Sequence, residues 1–87
     1  MMSVPSIDMV ATGMNINRLR RQAGITVQDI REVMGFSTPQ AIYKWLRGDA
    51  LPTLDNLVIL SAILGTSIDA IIVLDAGDNR DANNLTA

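Results

Sequence analysis

Four glycines, Gly24, Gly35, Gly48 and Gly65, are each followed within a few residues by a serine or threonine. Glycine just past a helix end accepts the left-handed stop, and a hydroxyl side chain just before the next helix caps its free N–H groups. Repeated at this spacing, stop and start signals divide the chain into short helical pieces that must pack on one another. The caps Thr12, Thr26, Thr38, Thr53 and Thr66 or Ser67 place helices at about 13–23, 27–34, 38–47, 53–64 and 67–73. Thr26 with Asp29 has the form of a capping box, and Pro39 suits the first turn of the third helix. A helix of about eight residues, roughly 12 Å long, does not persist alone in water. The expected fold is therefore all-α, a five-helix bundle.

The residue types that remain limit the chemistry. Apolar residues make up 48% of the chain, but aromatic ones are limited to Phe36, Tyr43 and Trp45, so the core must be aliphatic. Without cysteine or histidine there is no disulfide, no thiolate site and no imidazole base. Dispersed aspartates, Glu32, Lys44 and Tyr43 make no catalytic constellation, so neither an enzyme nor a metal or other cofactor is expected. The N-terminus lacks the basic start and apolar stretch of a secretory signal. The apolar region Leu54–Leu74 is interrupted by Asp55, Ser61, Gly65, Thr66, Ser67 and Asp69, so it reads as core and the chain as cytoplasmic. Residues 1–12 read as an arm with a turn of helix near Ile7–Val10, residues 13–74 as the domain, and 75–87 as a disordered polar tail. The run Ile71-Ile72-Val73 leaves a short strand open after the last helix. Hydrophobicity spread around the 53–64 helix leaves apolar surface that a homodimer would cover through that helix and the last one.

The third helix has two faces. At about 100° per residue Ala41, Ile42, Trp45 and Leu46 fall on one side, and Gln40, Tyr43, Lys44 and Arg47 on the other. By itself a polar stripe is ordinary solvated surface. Charge distribution adds to it: from Met14 to Gly48 six cations face two acids, whereas elsewhere Arg80 faces seven aspartates. Because charges beyond a Debye length are screened, a local basic field can steer a polyanion despite a net charge of -2. An amide, a phenol, an ammonium and a guanidinium on one stripe suit base edges and phosphates in a major groove.

These pieces resemble a known family. The series G-M-N-I-N-R-L-R-R-Q-A-G-I-T, Q-D-I, G-F-S, I-Y-K-W-L-R-G, P-T-L-D-N-L and L-G-T-S-I-D-A-I is similar to the Cro/repressor, or Xre-type, helix-turn-helix family of phage and bacterial regulators. That resemblance implies a lambda-repressor-like bundle binding double-stranded DNA as a homodimer on a palindromic operator, with Thr38, Gln40, Tyr43 and Lys44 in the groove and Arg47 near phosphate. It differs in four places. The stretch from Gly35 to Ile42 is one residue longer than usual. Val27 stands where a phosphate-holding glutamine is common, with Gln28 beside it. Arg31 occupies a usually small position, its stem over the helix junction and its head in solvent or on DNA. Leu46 replaces a glutamate that would pair with Arg20, leaving Arg20 to Glu32, to Asp49 or to a phosphate. The function implied is sequence-specific regulation of transcription, as a repressor. The alternative is a protein-interaction module of the same fold, an antitoxin or anti-regulator.

Overall fold

A computed structural model describes residues 4–75. It contains α1 (Met9–Gln22), α2 (Val27–Met34), α3 (Gln40–Arg47), α4 (Leu54–Leu64) and α5 (Ile68–Ile71), the all-α five-helix architecture expected. α2 occupies its expected span and α4 begins one residue after 53, the two capped by Thr26 and Thr53 and ended by left-handed Gly35 and Gly65. The tail expected after Asp75 lies outside the described residues, as do residues 1–3 of the arm. No helix among the described residues is long and apolar enough to cross a membrane.

Three boundaries differ from expectation by more. α1 begins at Met9, four residues before 13, because Asp8 is its cap, accepting from the Ala11 N–H at 2.9 Å. Thr12, expected as that cap, is instead fully buried inside the helix. Its hydroxyl accepts from the Val73 N–H at 3.0 Å and donates to the Val73 carbonyl at 3.4 Å, which satisfies a polar group that burial would otherwise penalise. α3 begins at Gln40, not 38, with Pro39 at the cap position and no side-chain cap; the Gln40 N–H reaches Thr38 Oγ1 at only 3.5 Å. α5 ends at Ile71 because Ile72 is already extended, and Leu74 forms an isolated antiparallel bridge with Ile7. Two backbone bonds flank this bridge, Asp8 N–H to Val73 O and Asp75 N–H to Ser6 O, each 2.8 Å. The Asn15 amide adds bonds to the Ala70 and Ile71 carbonyls at 2.7 and 3.0 Å, satisfying the end of α5.

The core takes at least one residue from every helix: Ile16, Ile30, Ile42 with Trp45, Leu57 with Leu60 and Leu64, and Ile71. α1 crosses α3 at Gly13, where a Cβ would strike the Trp45 carbonyl oxygen and lie 2.7 Å from that of Leu46. On the facing side, Gly48 has φ +80, and a Cβ there would come within 2.7 Å of Val10 Cα. Two glycines therefore let the α1 backbone approach the last turn of α3.

Gly→Ala inside a helix normally stabilises by about 0.5–1 kcal/mol. For Gly13→Ala the sign should invert to a loss of about 1–3 kcal/mol from overpacking, measured by urea unfolding. A neutral or stabilising result would refute the tight crossing. A second expectation concerns pH. In the capping box of α2, Asp29 Oδ2 accepts from the Thr26 N–H at 2.9 Å, which with the Thr26 hydroxyl holds the carboxyl below the ordinary aspartate range. A depressed folded value means stability that is present above the unfolded value, about 3.9, and lost as pH falls through the lower folded one. The stability difference between wild type and Asp29→Ala should accordingly shrink as pH drops below about 4, and a difference constant to pH 2 would contradict this.

Candidate nucleic-acid interface

α3 sorts its side chains as its period dictates. Ile42 and Trp45 are buried, Ala41 and Leu46 half-buried, and Gln40, Tyr43, Lys44 and Arg47 exposed. The contrast between neighbours Tyr43, 43% exposed, and Trp45, 4% exposed, fixes which way the helix faces. The side chains of Gln40, Tyr43 and Lys44 make no hydrogen bond or ion pair within the described residues, so their donors and acceptors face water. Beside them lies an open depression of about 360 Å³, lined by Phe36, Ser37, Thr38, Gln40, Ala41 and Lys44. The first turn of α3, which has no side-chain cap and no acid of its own, starts beside this depression.

The remaining candidates are held by the protein itself. Arg47 Nε donates to Asp49 Oδ2 at 2.8 Å, an exposed ion pair at the end of α3. Gln28 accepts from Arg31 Nε at 2.6 Å, and Arg31 Nη1 donates to the Phe36 carbonyl at 3.0 Å. Arg20 meets neither Glu32 nor Asp49. Its Nη1 donates to the Ile25 carbonyl at 3.3 Å, bracing the turn between α1 and α2, while its Nε is buried with no partner. On the outer side of α1, Arg18 bonds Asn15 and Gln22, and Arg21 is exposed.

The structure thus gathers Thr38, Gln40 and Lys44 around one depression with Tyr43 beside it on α3. It leaves Arg20 apart, turned toward the first turn of the bundle. Two placements escaped the sequence reading. Asp49 pairs with Arg47, a match visible in principle as opposite charges two residues apart across Gly48. Ser37 lines the depression because the turn runs on to Pro39.

The whole unit has relatives of known shape. A helix-turn-helix family model matches residues 16–71, well over half of the chain. No curated protein sequence matches it. Among solved structures, the restriction-modification controller protein C.AhdI from Aeromonas hydrophila is similar, with a TM-score of 0.65 at 20% identity over 74% of this chain and 96% of that one. The DNA-binding domain of BldD is similar at a TM-score of 0.62 and 18% identity, covering 75% of this chain and 93% of that one. Fe(II)-HppE, crystallised with an alternative substrate, matches at 0.67 and 23% over 78% of this chain, but over only 34% of its own length, so the likeness is to one part of that protein. At these identities the structures show a shared fold, and the family model supplies the kinship. The chain belongs to the helix-turn-helix family of the Cro/repressor, or Xre, type.

Proposed function

We propose that the protein is a sequence-specific DNA-binding regulator of transcription that inserts α3 into the major groove. One observation carries this reading: Gln40, Tyr43 and Lys44 stand exposed and uncommitted on a helix whose opposite face is locked into the core by Ile42 and Trp45. Gln40 suits adenine N6 and N7, Lys44 suits guanine O6 and N7 or a phosphate, and Thr38 and Tyr43 extend the contact on either side. Arg47 and the end of α2 bearing Gln28 flank this stripe within reach of the sugar-phosphate backbone. Support also comes from the family match, and from C.AhdI and BldD, whose names describe a controller protein and a DNA-binding domain.

The proposed assembly is a homodimer through α4 and α5. Leu54 and Val58, one turn apart on α4, are 71% and 54% exposed, and exposed Ala62 continues the stripe. A second copy covering it gives paired half-sites about 34 Å apart on one face of the duplex. Occupying an operator in this way blocks other proteins from it, which makes repression the direct outcome. The apolar stripe also suits the alternative, a protein-binding module, but that reading leaves the uncommitted α3 face without a role.

Lys44→Ala should weaken binding to all duplexes and lower the salt slope by about one, whereas Gln40→Ala should change preference at one base pair by about 1–3 kcal/mol. Duplex selection from a random pool, followed by titration at two salt concentrations, measures both. Wild-type binding that ignores sequence and survives both substitutions would end the assignment. Asp49→Asn should release Arg47 and remove an acid facing phosphate, raising affinity by up to about fivefold, the scale of one exposed ion pair. Unchanged or weaker binding would show that the Arg47–Asp49 pair does not compete with DNA.

A further inference from the structure

We infer that Arg31 is a positioning residue for α3, setting base preference through the turn instead of by touching DNA, an inference that rests on the DNA-binding reading. α3 has no side-chain cap, and five residues, 35–39, separate it from α2. Something else must fix where the helix starts. Arg31 grips one residue of that turn at both of its backbone groups. The Arg31 carbonyl accepts from the Phe36 N–H at 3.1 Å, and the Arg31 guanidinium donates from Nη1 to the Phe36 carbonyl at 3.0 Å. Only the first of these belongs to the usual glycine-stop pattern, since it needs no particular side chain.

The guanidinium is itself held in place. Its Nε donates to Gln28 Oε1 at 2.6 Å, and Nη2 lies 3.8 Å from Glu32 Oε1. The Arg31 side chain is 28% exposed, against 69% for Glu32, so it lies along the protein with Nε and Nη1 each engaged in a hydrogen bond. Phe36, fixed in this way, meets Trp45 edge to face, with ring centroids 5.9 Å apart at 69°. Trp45 is the buried anchor of α3. A continuous physical path therefore runs from Arg31 through the Phe36 peptide and ring to Trp45, and so to the angle at which Gln40 and Lys44 leave the surface. The planar fork reaches Gln28 from Nε and Phe36 from Nη1, two fixed nitrogens that the single ammonium of a lysine does not reproduce.

The two roles open to Arg31 separate by salt and charge. A phosphate ligand contributes about one unit to the slope of log affinity against log salt and is largely replaced by lysine. A positioning residue contributes no such unit, and lysine does not replace it. The test uses the full chain as wild type, Arg31→Met and Arg31→Lys, each confirmed folded by thermal melting. Each is titrated against the duplex that wild type selects and against its single-pair variants, at two salt concentrations. The resonance of the single tryptophan, Trp45, is recorded for each without DNA. Expected are a loss of about tenfold in discrimination between selected and variant duplexes in both substitutions, an unchanged salt slope in Arg31→Met, and a shifted Trp45 indole signal. A slope lowered by about one in Arg31→Met with restoration by Arg31→Lys, or intact discrimination in both variants, would overturn the inference. Should wild type select no duplex, the DNA-binding reading fails, and the Trp45 signal then decides alone: a shift in both variants upholds the path from Arg31 to α3, and an unmoved signal refutes it.

Discussion

The close approach of α1 to the end of α3 is the constraint on which the rest depends. Gly13 and Gly48 let two backbones meet where any Cβ would hold them apart. At that distance Ile16 on α1 and Ile42 with Trp45 on α3 share one buried cluster, and Ile30, Leu60 and Ile71 close it from the other helices. An eight-residue helix gains little from its own hydrogen bonds, so this burial is what keeps α3 formed. Since two of its residues are pinned inward, the period of the helix leaves Gln40, Tyr43 and Lys44 no choice but to face out. The orientation of the candidate interface is thus a consequence of packing on its far side.

Electrostatics divides the cations into two sets. Arg20, Arg31 and Arg47 donate to the Ile25 carbonyl, the Phe36 carbonyl and Asp49 respectively, and each steadies a turn next to a helix end. Arg18 is likewise engaged, by Asn15 and Gln22 along α1, and Lys44 and Arg21 are left to act on whatever approaches. A guanidinium offers several donors in a fixed fork, so the committed arginines hold carbonyls or an acid while remaining charged. They sit in the segment with six cations and two acids, and the net charge of -2 describes the remainder of the chain better than it describes this segment.

Much of this was legible in the sequence, where local signals and tertiary demands agree. Thr26 with Asp29, Gly35, Thr53 and Gly65 act where pattern reasoning puts them, because caps and left-handed stops depend on a few neighbouring atoms. The inward and outward sides of α3 follow from period alone. Legibility ends where distant contacts decide. Thr12-Gly13 looks like a cap and a helix start, yet the threonine is drawn inside by the Val73 backbone and the glycine is needed by α3, two demands from elsewhere in the fold. Thr38-Pro39 looks like a cap and a first turn, yet the turn after Gly35 runs on through Pro39 and the helix starts at Gln40. The end of α5 depends on Ile7, more than sixty residues away in sequence, whose bridge to Leu74 takes the chain out of helix. Opposite charges were visible in sequence too, but which acid meets Arg47 and which carbonyl meets Arg20 required three dimensions.

The shortness of α3 bears on how much sequence it can read. From Gln40 to Lys44 the helix rises about 6 Å, and base pairs stack at about 3.4 Å, so its outward stripe spans about two pairs. Each well-read pair contributes about 1–3 kcal/mol of discrimination, while singling out an operator among genomic sites takes about 4–10 kcal/mol. Two pairs supply about 2–6 kcal/mol, which reaches only the lower part of that range. In the proposed dimer through the Leu54–Val58 stripe a second reading head would double that figure, and a rigid turn would add to it, since a helix free to tilt averages over neighbouring pairs and loses preference at each. On the proposed reading, an uncapped helix of eight residues in the groove calls for both a partner copy and a fixed entry, and the exposed face of α4 and the gripped peptide of Phe36 are the features proposed to supply them.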